Sequence, residues 1–143
     1  MIAIDFKEIE EAFFFVSSAP EYEHRAFLDR ETGKIYWQSE MVEDFGELPE
    51  DIDDDRYIAI PHKKTLGLGK SLVLDFAYKS LPDEADEIEA IFRRKGAYAK
   101  FKALLDKKGA LQKWYDFEAR AENEALRLWC EENGIELRGI TRN

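Results

Sequence analysis

Four short stretches carry residue types that do chemistry. The first is Gly67-Leu68-Gly69-Lys70-Ser71. It follows an expected strand and opens an expected helix, where backbone N–H groups and a lysine would face a phosphate. The complete phosphate-loop pattern needs another glycine five residues before the second one, and Lys64 holds that position. No later strand supplies an acid for magnesium, and no strand-helix alternation implies a parallel sheet. The residues favour a glycine-rich entry into a core helix over a nucleotide-hydrolysing loop. A simpler anion site at Lys70 stays open.

The second stretch is His62, with Lys63 and Lys64, just past Pro61. A histidine at a strand end can act as a general base when a carboxylate orients it. An acid from Glu50–Asp55 would complete a hydrolase, a third and weaker reading of the chain. The other histidine, His24, falls in an expected strand. Two unlinked histidines spell neither a triad nor a two-histidine metal site, so His62 is expected to be a surface residue in a loop. The third stretch, Glu50-Asp51-Ile52-Asp53-Asp54-Asp55, alternates acids as a calcium loop does. Such a loop requires glycine at its sixth place, where Arg56 stands, and a solvated acidic loop is the better reading.

The fourth stretch is the richest. Residues 93–113 hold Arg93, Arg94, Lys95, Lys100, Lys102, Lys107, Lys108 and Lys113 against a single acid, Asp106. Tyr98 and Phe101 lie among them and Trp114 follows. Cations for phosphates beside aromatics for bases is the make-up of a nucleic-acid surface. Phe101 and Trp114 also stand at helical core spacing, which assigns them to packing. The candidate binding residues are therefore Lys70, Arg93, Arg94, Lys95, Lys100, Lys102 and Lys113. No catalytic residue, metal ligand or cofactor is assigned.

These side chains must be positioned by local elements. Asp5 is a good helix N-cap with Glu8 as its capping-box partner, and Phe6, Ile9, Phe13 and Val16 share one helical face. A hairpin follows, Tyr22–Asp29 with Ile35–Trp37, turning through Arg30-Glu31-Thr32-Gly33, where Gly33 supplies a positive φ. Alternation makes its first strand half-exposed. Residues 40–56 read as an acidic loop, and Arg56–Ile60 as a third strand closed by Pro61. Helices then dominate. Leu72, Val73, Phe76 and Ala77 form one stripe. Pro82 begins a helix that turns Ile88, Ile91 and Phe92 inward. Gly96 breaks the chain before a basic helix carrying Tyr98, Phe101, Leu104 and Leu105. The last helix, Leu111–Asn133, places Trp114, Phe117, Ala121, Ala125, Leu128 and Trp129 on one broad face and stops at Asn133-Gly134. Residues 135–140 form a short extended tail. The expected fold is α+β: a small antiparallel sheet of about three strands packed against four or five helices, in a single domain over residues 1–143.

Bulk composition agrees. The chain has 143 residues, 45% hydrophobic, enough for a core without covalent staples. One cysteine, Cys130, forms no internal disulfide and no cysteine-rich zinc site. The longest apolar runs are too short to span a membrane and no targeting signal stands at the start, so a cytoplasmic location is expected. The formal charge of −10 is uneven: residues 1–60 hold 17 acids and 5 cations, and residues 61–143 hold 14 acids and 16 cations. An acidic half thus precedes a locally basic one.

An ordered set of short motifs then becomes recognisable. Arg94-Lys95-Gly96-Ala97-Tyr98-Ala99-Lys100-Phe101 comes before Lys113-Trp114-Tyr115-Asp116-Phe117, and Ala125 to Trp129-Cys130 leads to Asn133-Gly134-Ile135. Upstream stand Phe27-Leu28-Asp29, Glu31-Thr32-Gly33-Lys34-Ile35 and Arg56-Tyr57-Ile58-Ala59-Ile60-Pro61. In this order, over roughly residues 22–137, the chain resembles uncharacterised protein family 0158. The resemblance implies a bacterial α+β protein and transfers no activity or catalytic residue; the Gly67–Ser71 segment is not associated with it. With no catalytic constellation, a strong charge split and aromatics in the hairpin, the leading expectation is a non-enzymatic interaction or regulatory module with a protein partner. The alternative is phosphate or nucleic-acid binding through residues 93–113, with Lys70.

Overall fold

The computed structural model describes residues 3–42 and 46–138. Its elements run β1 (Ile4–Asp5), α1 (Phe6–Ser17), β2 (His24–Asp29), β3 (Ile35–Ser39), β4 (Tyr57–Ala59), α2 (Lys70–Ser80), α3 (Ala85–Ile91), α4 (Ala97–Lys107), α5 (Leu111–Glu132) and β5 (Leu137–Arg138). The fold is α+β, with a three-stranded antiparallel sheet and a small parallel pair. By contact density the chain divides into two compact units, one of residues 1–66 with 125–143, the other of residues 67–124. Residues 43–45 of the acidic segment and 139–140 of the expected tail lie outside the described residues.

In the first unit the Asp5 carboxylate caps α1 by accepting from the Lys7 N–H at 3.0 Å. The face set by spacing is the buried one: Phe6, Ile9, Phe13 and Val16, joined by Ala12. At the far end both the N–H and the hydroxyl of Ser18 donate to the Phe15 carbonyl, which satisfies an acceptor the helix leaves open. Helix α1 packs on β2, the central strand of the order β3-β2-β4. Alternation along β2 buries Ala26 and Leu28 and leaves Arg25 exposed. The parallel pair β1-β5 joins Ile4 to Leu137 and Asp5 to Arg138. Sequence pattern reads only a helix start at one of these ends and an extended tail at the other. Two residues carry too little alternation to announce a strand, and the pairing is made between chain ends remote in sequence.

The end of β2 departs from a half-exposed strand. Asp29 is 1% exposed. Its carboxylate accepts from Arg56 Nε at 2.9 Å and Nη2 at 2.7 Å, and from the N–H groups of Glu31 at 2.8 Å and Thr32 at 3.3 Å. One carboxylate thus closes the hairpin turn, with Gly33 at φ 80° as expected, and pins the chain entering β4 to it.

The second unit has its own core. Leu72, Val73, Phe76 and Ala77 of α2 meet Ala85, Ile88, Phe101, Leu105, Ala110 and Trp114. Pro82 opens a short 3-10 turn before α3. Phe76, Phe101 and Trp114 interlock edge to face, the Trp114 ring lying 5.3 Å from Phe76 and 5.1 Å from Phe101, a preferred aromatic geometry. Gly96, at φ 74°, makes the left-handed turn from α3 into α4.

Along α5 the sequence expectation needs one correction. Trp114 is buried and Phe117 and Ala121 pack on the second unit's core. Leu128, expected on the same face, is 54% exposed, while Leu126 and Cys130 are fully buried. The buried stripe therefore shifts beyond Ala121, because α5 supplies side chains to two cores in succession.

Candidate functional site

Gly96 decides where the basic side chains go. Its left-handed backbone ends the turn after α3 and starts α4 at once. Arg93 and Arg94 stand just before that turn, and Lys100 stands one helical turn after it. The three line one open recess of about 350 Å³ together with Glu87, Ala90 and Ile91. Arg93 is exposed and reaches Glu89 at 3.9 Å, a contact of little energetic weight at the surface. The recess is thus lined by three cations, one acid and two small-to-medium apolar residues.

The remaining sequence candidates lie apart from it. Lys95 is exposed on the same turn but does not line the recess. The Lys102 ammonium sits 5.8 Å from the Tyr115 ring centre. Lys113 is exposed on α5, and Lys108 pairs with Glu84 at 3.3 Å. Lys70 is exposed at the first residue of α2. In the glycine-rich segment the Ser71 hydroxyl donates to the Gly67 carbonyl at 3.1 Å, which closes the entry to the helix on itself. Of the seven candidates, the fold gathers Arg93, Arg94 and Lys100. Sequence reading missed Glu87 and Ile91, which belong to the core-facing helix; they come beside Lys100 only through the turn at Gly96.

The aromatics separate by burial. Phe101 is 0% and Trp114 1% exposed, while Tyr98, at 38%, and Tyr115, at 40%, reach the surface. The Tyr98 ring lies edge-on to Phe92 at 5.0 Å. Burial and the nearby Glu118 carboxylate push the Tyr98 phenol above its ordinary range.

His62 is not a surface residue: it is 6% exposed. The Lys64 N–H donates to its Nδ1 at 3.1 Å, so the ring proton sits on Nε2, which donates to the Ala19 carbonyl at 2.8 Å. Both nitrogens are committed to backbone, and the ring ties the segment after β4 to the end of α1. In the acidic loop, Asp51 accepts from the Tyr57 hydroxyl at 3.2 Å, and Asp54 from the Arg56 N–H at 2.9 Å. Among the described residues no three histidine, cysteine, aspartate or glutamate side chains cluster as metal ligands would. Cys130 is buried, and burial pushes its thiol up to about 11, far from the thiolate that reactive cysteines need.

The fold and the recess define a small α+β protein with a basic recess. A model of the uncharacterised protein family UPF0158 matches residues 1–139. The chain belongs to that family. No curated protein and no solved structure matches the chain.

Proposed function

We propose that this protein is a non-enzymatic interaction module, and that the recess at the α3–α4 turn receives an acidic segment of a partner protein. The observation that supports this is the gathering of Arg93, Arg94 and Lys100 around one concavity that Ala90 and Ile91 also line. Guanidinium groups offer forked donors that suit carboxylates, and the apolar lining residues offer contact to a peptide side chain. Nucleic acid is the second reading. Its support is the same set of cations with Tyr98 and Tyr115 at the surface, but Phe101 and Trp114 are inside the core, which removes two of the stacking platforms such sites use. The whole chain is also acidic, with net charge −10, which opposes a long polyanion more than a short acidic segment. Cytoplasmic residence belongs to this proposal too. Its supports are a single buried thiol and the absence, among the described residues, of a helix long and apolar enough to cross a membrane.

The test compares wild type with a charge-reversed Arg93→Glu, Arg94→Glu, Lys100→Glu variant as bait in nuclease-treated lysate of the source organism. A protein retained in stoichiometric amount by wild type at low salt, lost with the variant and with added salt, supports the reading. Retained nucleic acid in a parallel run without nuclease, with no retained protein, replaces it with the second. Equal retention by both baits overturns the recess as the site.

A further inference from the structure

The first unit contains a second concavity that the basic recess does not involve. It measures about 340 Å³, within the range of about 300 to 1,000 Å³ usual for small-molecule sites. Its walls are mainly apolar, with Val16, Phe27, Ile60 and Trp129 among them, and His24, Arg25 and Glu21 also line it. Tyr22 at its border holds φ 73°, the one non-glycine residue in the left-handed region among those described, with its side chain 74% exposed. A bulky residue in that region is a genuine backbone outlier, and such strain gathers at ligand sites.

The polar group that gives this cavity a chemical preference is His24. The Ser18 hydroxyl donates to the Phe15 carbonyl at 2.7 Å, so its oxygen is an acceptor toward His24 Nδ1, 3.1 Å away. The Phe15 carbonyl, 3.0 Å from the same nitrogen, is also an acceptor. Two acceptors facing Nδ1 place the ring proton there. Nε2 is then a bare lone pair, and no described residue donates to it. The ring itself is held flat against Phe15, with centres 4.4 Å apart and planes 6° apart. A fixed ring with a fixed tautomer, on a residue that lines the cavity, leaves one acceptor available to a ligand. Arg25 and Glu21 carry opposite charges, so the lining adds no net charge to select an ion.

We infer that this cavity binds a small uncharged aromatic molecule that presents an O–H or N–H donor to His24. The apolar walls take the ring system and Nε2 takes the hydrogen. A matched pair of probes isolates the second feature: 2-naphthol has the donor, and 2-methoxynaphthalene has the same rings without it.

Binding of each probe to the full chain is measured by saturation-transfer NMR and by quenching of tryptophan fluorescence. The expected result is a preference for 2-naphthol of about tenfold, the factor one ordinary hydrogen bond carries. His24→Phe keeps a ring against Phe15 and removes the acceptor, so it is expected to abolish the preference and leave 2-methoxynaphthalene binding unchanged. Ala59→Trp places a large ring at the cavity from an exposed strand position, where aromatic residues are well tolerated. It is expected to weaken both probes while circular dichroism stays that of wild type. Equal binding of the two probes to wild type overturns the inference. So does a preference that survives His24→Phe, binding untouched by Ala59→Trp, or no binding of either probe to the folded chain.

Discussion

Asp29 shows how one side chain can organise a hairpin. It is buried, yet it stays ionised because Arg56 grips both its oxygens. That guanidinium, helped by the Glu31 and Thr32 N–H groups, outweighs burial and holds the carboxyl well below the usual carboxylate range. Removing the carboxylate leaves two turn N–H groups and a guanidinium without their acceptor. Asp29→Ala is therefore expected to cost about 2 to 3 kcal/mol in urea unfolding. The sign of the pH dependence follows from the depressed folded-state value. The unfolded carboxyl titrates near 3.8. The pair's contribution is complete above about pH 5 and drains away as pH falls through and below that value. Wild-type stability should fall with acid in that window, and the Asp29→Asn variant should lose much of that slope. An unchanged slope in the variant would assign acid sensitivity to other carboxylates. Nothing in Phe27-Leu28-Asp29 marks this residue in the sequence, because its partner stands 27 positions away and the pairing of β4 with β2 is what brings the two together. His62 was misplaced for the same reason. Its two backbone partners, Ala19 and Lys64, include one from the end of α1, and only tertiary packing puts that carbonyl in reach.

The helices are the elements most legible from pattern, and the joint between two of them is what gives the basic recess its form. Helix α1 carried its cap and its buried face in plain spacing, and α2 its buried face. Gly96 was legible as a break, and its φ of 74° explains why glycine stands there. Nothing within 4 Å would meet an added Cβ, so a substitution suffers from backbone strain alone, not from a clash. Gly96→Ala is expected to destabilise the fold by about 1 kcal/mol. Because the turn sets Lys100 against Arg93 and Arg94, partner retention should weaken in the same variant. Denaturant unfolding and the retention assay together test this; a variant with full stability and full retention would show that the turn tolerates a side chain. The weak elements were not legible. Strands β1 and β5 hold two residues each, and their pairing depends on contacts no local pattern encodes. The exposed Leu128 has a related cause: a helix shared by two cores does not keep one apolar face.

For the whole molecule, charge is the dominant long-range feature. A net charge of −10 repels itself in any compact state, and all of the excess acid lies in residues 1–60. The ion pairs described are largely exposed apart from Asp29 with Arg56, so they offset little of that repulsion. The thermal midpoint is expected to rise when salt increases to about 0.3 M, since screening relieves repulsion at distances beyond a few ångströms. A fall instead would mean that favourable pairs dominate. This screening response separates from partner binding, which the same salt should weaken.

The α+β class, the order of hairpin, third strand and helices, the Asp5 cap of α1 and most buried faces follow from local spacing, because propensity and period act within a few residues. The family follows from the order of short motifs. Tertiary structure alone decided which cations share a recess, which aromatics are withdrawn from the surface, and that His62 and Asp29 are buried anchors. It also made the cavity beside His24. Each of those depends on groups distant in the chain meeting at hydrogen-bond or packing distance, a relation that sequence spacing does not contain.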